Sequence, residues 1–198
     1  MRINNLILFT SLLLPGVPFW YGHAQSAPQP LNPPGNPAVT SADNPAPGRK
    51  LVIELEVPAP TGDVWKAFTT SEGLATWLAP QAHVDLRPGV DWIVSFPGAK
   101  STGGGTIVSF VPENQLVLSA LAPDQFPHVR AERTRAVFDF EPRGRATLVR
   151  LTQTGWKTGD EWDRAYEYLI AGNAQLMSAL HRRFAVGRID WNKLAASN

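Results

Sequence analysis

Cysteine is absent from all 198 residues, and histidine occurs only 4 times. The first absence excludes disulfide staples, thiolate nucleophiles and thiolate metal ligands, so the folded part must be held by its core alone. The second leaves little for a metal: His83, His128 and His181 lie far apart, none at ligand spacing from another or from a carboxylate pair. His181, beside Arg182 and Arg183, reads instead as positive charge complementing a helix C-terminus. Excess charge of either sign is also lacking, with 18 Lys and Arg against 17 Asp and Glu. Such a balance offers no electrostatic footprint for nucleic acid or for an anionic membrane surface. Gly103-Gly104-Gly105 is not followed by the Gly-Lys-Ser/Thr of a phosphate-cradling loop, and Ser95, Ser109 and Ser119 sit in strand patterns without a glycine elbow. No catalytic residue, metal or cofactor is expected from these patterns.

Long apolar stretches are confined to one place. Arg2 is the only charge before the run from Leu6 to Tyr21, and Gly22-His23-Ala24 then places small residues at both positions a signal peptidase inspects. The expectation is a signal peptide over residues 1–24, cleaved after Ala24. An uncleaved anchor is the alternative, but the run is short of about 20 residues and is interrupted by Pro15, Gly16 and Pro18. No membrane span is expected once the signal is gone, which makes the protein exported, either periplasmic or secreted. Residues 25–50 follow, with proline recurring among Asn, Ala, Gly and Ser and no apolar period, as in a disordered linker.

What is present starts at Leu51. Ile53, Leu55 and Val57 alternate with Glu54 and Glu56, the pattern of a strand with one wet face. Two short helices come next, the first with Thr61 as its cap and Val64, Trp65 and Phe68 on one side. The second has a capping box of Thr69 and Glu72, with Leu74, Trp77 and Leu78 on its apolar side, and ends before Pro80. Strand patterns then recur over residues 82–86, 92–96, 106–111, 116–121, 132–140 and 146–154, separated by Gly- and Pro-bearing turns. The period changes at Thr158 and Glu161, another capping box, and Trp162, Tyr166, Leu169, Ile170, Leu176, Met177, Leu180 and Phe184 trace one stripe of a helix of about 25 residues, roughly 38 Å long. The domain therefore spans residues 51–187, with residues 188–198 as a tail. The class is α+β: a curved antiparallel sheet of about seven strands wrapped around a long C-terminal helix.

Five segments in this order resemble one superfamily. They are VPAPTGDVWKAFTTSEGLATWLAP (57–80), VDLRPGVDWIVSF (84–96), GTIVSFVPENQLVLS (105–119), VFDFEPRGRATLVRLTQTGW (137–156) and the closing helix. Together, over about residues 50–186, they look like the START or SRPBCC superfamily with its helix-grip fold, typified by the birch pollen allergen. Within it they are most similar to the branch named for the activator of the heat-shock-protein ATPase. One departure is Gly172-Asn173, where the branch often carries Gly-Trp.

The resemblance implies a hollow between sheet and long helix. In the strand patterns Trp92, Val94 and Phe96 share one face, as do Val108 and Phe110, Ala136, Phe138 and Phe140, and Val149, Leu151 and Gln153; the resemblance implies that such positions, together with Trp77, Tyr166, Leu169 and Asn173, line the hollow. An aromatic stripe is more often packed core than pocket. Gln153, Asn173 and the Tyr166 hydroxyl on these apolar faces favour a ligand or trapped water as their partner. The expected function is binding of a small hydrophobic or amphipathic molecule or lipid. A cyclase- or hydrolase-like enzyme using the same hollow, or a co-chaperone-like protein-interaction domain, are the alternatives the resemblance keeps open.

Overall fold

Eight strands form one antiparallel sheet in the order β1-β2-β8-β7-β6-β5-β4-β3. They are β1 (Ala38–Ser41), β2 (Leu51–Val57), β3 (Gln81–Val84), β4 (Asp91–Ser95), β5 (Gly103–Val111), β6 (Gln115–Ala120), β7 (Thr134–Arg143) and β8 (Ala146–Thr154). The computed structural model describes residues 35, 38–41, 48–95 and 100–195. The expected signal peptide and most of the expected linker lie outside the described residues, as does Phe96. Seven of the strands are those read from the sequence. The eighth, β1, pairs with β2 in register Val39↔Ile53 and comes from within the proline-rich lead, where no apolar period marks it.

Three helices are expected and present: α1 (Thr61–Thr69), α2 (Ser71–Ala75) and the long α4 (Asp160–Ala185). Two more are not visible as periodic patterns, α3 (Pro127–Glu132) and α5 (Trp191–Ala195). Proline at its first position starts α3, so the strand expected from Glu132 begins at Thr134 instead. The tail is likewise not loose: Ile189 N–H donates to the Thr76 carbonyl (2.9 Å) and the Trp191 indole to Ala75 (2.6 Å), strapping it across the end of α2.

All three expected helix caps are displaced. The Thr61 hydroxyl lies 3.2 Å from that of Thr147, and α1 starts without a side-chain cap. Thr70, not Thr69, caps α2 by accepting from Gly73 N–H at 2.9 Å. Thr69 instead donates to the Trp65 carbonyl (2.8 Å). Gly159 precedes α4 without a side-chain cap, and Glu161 accepts from His128 N–H (2.8 Å) and Val129 N–H (3.1 Å), serving the N-terminus of α3. A capping pattern names side chains able to satisfy orphan amides but does not say which amides come within reach. His181 also has a closer partner than a helix dipole, its Nδ1 donating to the Glu56 carbonyl at 2.9 Å.

The inner face of the sheet follows the register. One row runs Leu51, Gln153, Ala136, Leu118 and Ile107 across β2, β8, β7, β6 and β5. Ile107 and Phe110 both face inward because the pairing shifts by one residue at Val108. A bulge of this kind inverts the alternation. Val108, expected to share the inward face with Phe110, is accordingly 43% exposed.

Around Phe68 the core is aromatic. Its ring centroid lies 5.0 Å from Trp77, 5.0 Å from Phe138 and 5.2 Å from Phe140, and Trp65 meets Phe140 edge-on at 5.4 Å. The short helix pair thus covers the sheet beside α4. It can be so short because its ends are served by side chains. The carbonyls of Lys66, Ala67 and Phe68 at the end of α1 accept from the Thr70 hydroxyl (2.9 Å), the Trp77 indole (3.0 Å) and the Trp92 indole (2.7 Å), which are the acceptors a helix C-terminus leaves without intrahelical partners.

Gly172 sits in mid-α4, where glycine costs helix stability, and a methyl added there meets nothing within 4 Å. Gly172→Ala is therefore expected to stabilise the domain by about 0.5–1 kcal/mol, read as a rise in the urea midpoint. A fall would mean that the space beside Gly172 is filled.

Candidate functional site

Helix α4 runs along the sheet with its closest approach at β2. Two lines of its side chains face inward at intervals of seven residues, about two turns: Trp162, Leu169 and Leu176, and Tyr166, Asn173 and Leu180. Trp162, Tyr166 and Leu180 are buried, with 6%, 3% and 0% of their surface exposed. Leu169, Asn173 and Leu176, in the middle of the same face, are only half-buried. The middle of this face thus keeps more surface than its ends, with Met177 beside Leu176 fully buried again. The inner face of the sheet carries Ala136, Ala120 and Gly105 on the adjoining strands β7, β6 and β5. With no side chain longer than a methyl group at these three positions, the floor is low. Gly105 is held to its size by the neighbouring strand, as a Cβ there would lie 2.3 Å from the Ser119 carbonyl oxygen.

One polar chain enters this groove. Thr134 Oγ1 accepts from Gln153 Nε2 (2.7 Å), and Gln153 Oε1 accepts from Asn173 Nδ2 (2.8 Å), bridging β7, β8 and α4. The Tyr166 hydroxyl donates to the Lys50 carbonyl at 3.1 Å, and the Arg49 guanidinium stacks on its ring at 4.2 Å. Among the described residues no buried side-chain N or O lacks a partner. The polar groups that in the sequence favour a ligand or water as partner therefore have protein partners. Tyr168, on the flank of the helix against Phe126 (5.5 Å), has its phenol pushed upward in pKa by burial and stays neutral.

The residues expected to line a hollow divide into two groups. Trp77, Trp92, Val94, Phe138, Phe140, Leu151, Gln153 and Tyr166 are buried in the core. Phe110, Leu169 and Asn173 are half-buried, Phe110 beside Trp65 of α1 (6.5 Å) and the other two in the middle of α4. Sequence patterning puts Ala136 on one face with Phe138 and Phe140 but gives no sign of Ala120 and Gly105 on the same side of the sheet, because small residues carry no apolar signal of their own. Two hollows lie away from α4: one of about 150 Å³ against Asp139, Leu148 and Arg150, and one of about 580 Å³ between Pro58, Pro60 and the Arg143–Ala146 turn. Among the described residues no group of acidic or histidine side chains could hold a metal, and no helix is long and apolar enough to cross a membrane.

Residues 58–185, more than half of the chain, match the family described as activator of Hsp90 ATPase homolog 1-like protein. The chain belongs to that family. Solved structures with similar folds include protein MLL2253 from Mesorhizobium loti, 20% identical, covering 68% of this chain and 95% of that one with a TM-score of 0.56. The Aha1 dimer from Colwellia psychrerythraea is 17% identical, covers 70% and 97%, and has a TM-score of 0.58. CalU16 from Micromonospora echinospora is 20% identical over 81% and 89%, with a TM-score of 0.54. At these identities the likeness is one of fold. No curated protein matches the chain. The activator family lies in the SRPBCC superfamily, and its helix-grip architecture is compatible with a ligand-binding module.

Proposed function

We propose that this domain binds a small hydrophobic or amphipathic molecule in the groove between the middle of α4 and the inner face of β5, β6 and β7. The observation that carries this reading is the half-burial of Leu169, Asn173 and Leu176 at the centre of a stripe whose ends are buried. Apolar side chains left in contact with water along a concave wall gain free energy when an apolar guest displaces that water, about 25 cal/mol for each Å² removed. The setting we propose is outside the cytoplasm. It is supported by the composition of residues 1–24, whose apolar run and small-residue end have the form of an export signal.

Native mass spectrometry of the domain, isolated from its own host under gentle conditions, tests the reading beside an Ala120→Leu variant. The wild type should retain an apolar small molecule, and the variant, with its floor raised, should lose it while melting no earlier. Empty wild-type protein that also fails to take up added apolar probes would overturn the proposal.

A further inference from the structure

The groove walls are apolar, and among the described residues they carry no charge; the Arg130 guanidinium of α3, at the end of the floor on the Ala122 and Thr102 carbonyls, is already paired with Asp124 (3.2 Å). From Tyr168 to Leu180 no residue of α4 is ionised, on its inward or its outward side. The inward positions of β3 to β8 carry no Asp, Glu, Lys or Arg either. An ionised ligand group lodged there would find no counter-charge, and burying an unpaired charge is strongly unfavourable. The ligand must therefore be neutral where it meets the wall.

The polar chain adds direction. Gln153 Nε2 is committed to Thr134, so its Oε1 faces α4 and takes a hydrogen from Asn173 Nδ2. This pairing sets which way the Asn173 amide points. Its Oδ1 is left as an acceptor with no described partner, on a half-buried side chain between Leu169 and Leu176. A hydroxyl donating to that oxygen would complete the chain, whereas a group that only accepts would face a lone pair.

We infer that Asn173, oriented by Gln153 and Thr134, selects the ligand as an uncharged molecule with an apolar body and one hydrogen-bond-donating hydroxyl. This rests on the groove reading above and narrows it. Asn173 contacts the ligand directly; Gln153 and Thr134 are positioning residues.

Calorimetric titration with four probes of one size tests it: naphthalene, 2-naphthol, 2-methoxynaphthalene and 2-naphthoate. The wild type should bind 2-naphthol most tightly, by roughly three- to tenfold over the methoxy compound, the span expected of one net hydrogen bond. It should bind 2-naphthoate most weakly. In Asn173→Leu and Asn173→Ala the naphthol preference should fall to about one while naphthalene binding persists, and Gln153→Leu, which frees the amide to turn, should reduce the preference without abolishing binding. An equal wild-type affinity for naphthol and its methyl ether, a preference that survives both Asn173 variants, or tightest binding of the carboxylate would each overturn the inference and leave the groove standing. Failure of all four probes to bind the folded wild type would remove the groove reading and the inference together.

Discussion

Replacing Phe68 by alanine is expected to destabilise the domain by about 3–5 kcal/mol. For a domain of this size that corresponds to a fall of roughly 10–20 °C in melting temperature. The effect is large because Phe68 is wholly buried and its ring is shared by three others, Trp77, Phe138 and Phe140, each with its centroid within 5.2 Å. Removing it opens a void that none of those rings can fill without leaving its own place, since Trp77 is anchored to Ala67 and the other two stand side by side on β7. Closely packed interiors relax only in part around such a void, and the aromatic pair energies are lost as well. Calorimetry checks the figure. A loss below about 1 kcal/mol would mean that the ring borders open space rather than filling the core.

Trp77→Ala should cost a similar amount, about 3–5 kcal/mol, but the two parts of that cost are separable. Trp77→Phe keeps most of the apolar volume and removes only the indole N–H that serves the Ala67 carbonyl at 3.0 Å. It leaves a buried acceptor without a donor, which costs about 1–3 kcal/mol. Denaturant unfolding of both variants gives the split. If the phenylalanine variant is as stable as the wild type, the indole contributes through packing alone and the end of α1 does not depend on it.

These two tryptophan and phenylalanine positions answer what holds such a short helix pair. A helix of two or three turns is not stable by itself in water. Here α1 borrows stability through its buried face, Val64, Trp65 and Phe68, and through its last carbonyls, which Thr70 and Trp77 on either side of α2 and Trp92 of β4 satisfy. The apolar spacing that signals the buried face was readable in the sequence. The indole donors were not, because a tryptophan at Trp77 or Trp92 states only that a large ring is buried, and its partner is decided by where α1 ends.

The same division runs through the rest of the molecule. Strand alternation in β2 and β8 and the long stripe of α4 were legible because each repeats over many residues. The bulge at Val108 was not, since a one-residue insertion in the pairing leaves no mark on composition. Nor was β1, whose Ala38–Ser41 stretch takes its conformation from the edge of β2 rather than from its own pattern. Among the candidate site residues, Leu169 is read from the helical period and Asn173 from the resemblance, where it stands at the place of the branch's tryptophan. In the reading proposed here, what distinguishes them from Tyr166 and Leu180 on the same helix face is the height of the sheet beneath, set by Ala120 and Gly105, far away in sequence. Whether a residue fills a core or borders an opening is a property of its opposite number.

The central claim is that the middle of α4 overhangs an accessible apolar groove. Titrating naphthalene into the domain with methyl-labelled leucine and valine, and following the methyl resonances, tests it most directly. Leu169 and Leu176 should shift in a saturable way, while Val108 and Val111, exposed on the other face of the sheet, should stay in place. Saturable shifts confined to those two valines, or no shift at the two leucines at any naphthalene concentration, would contradict it.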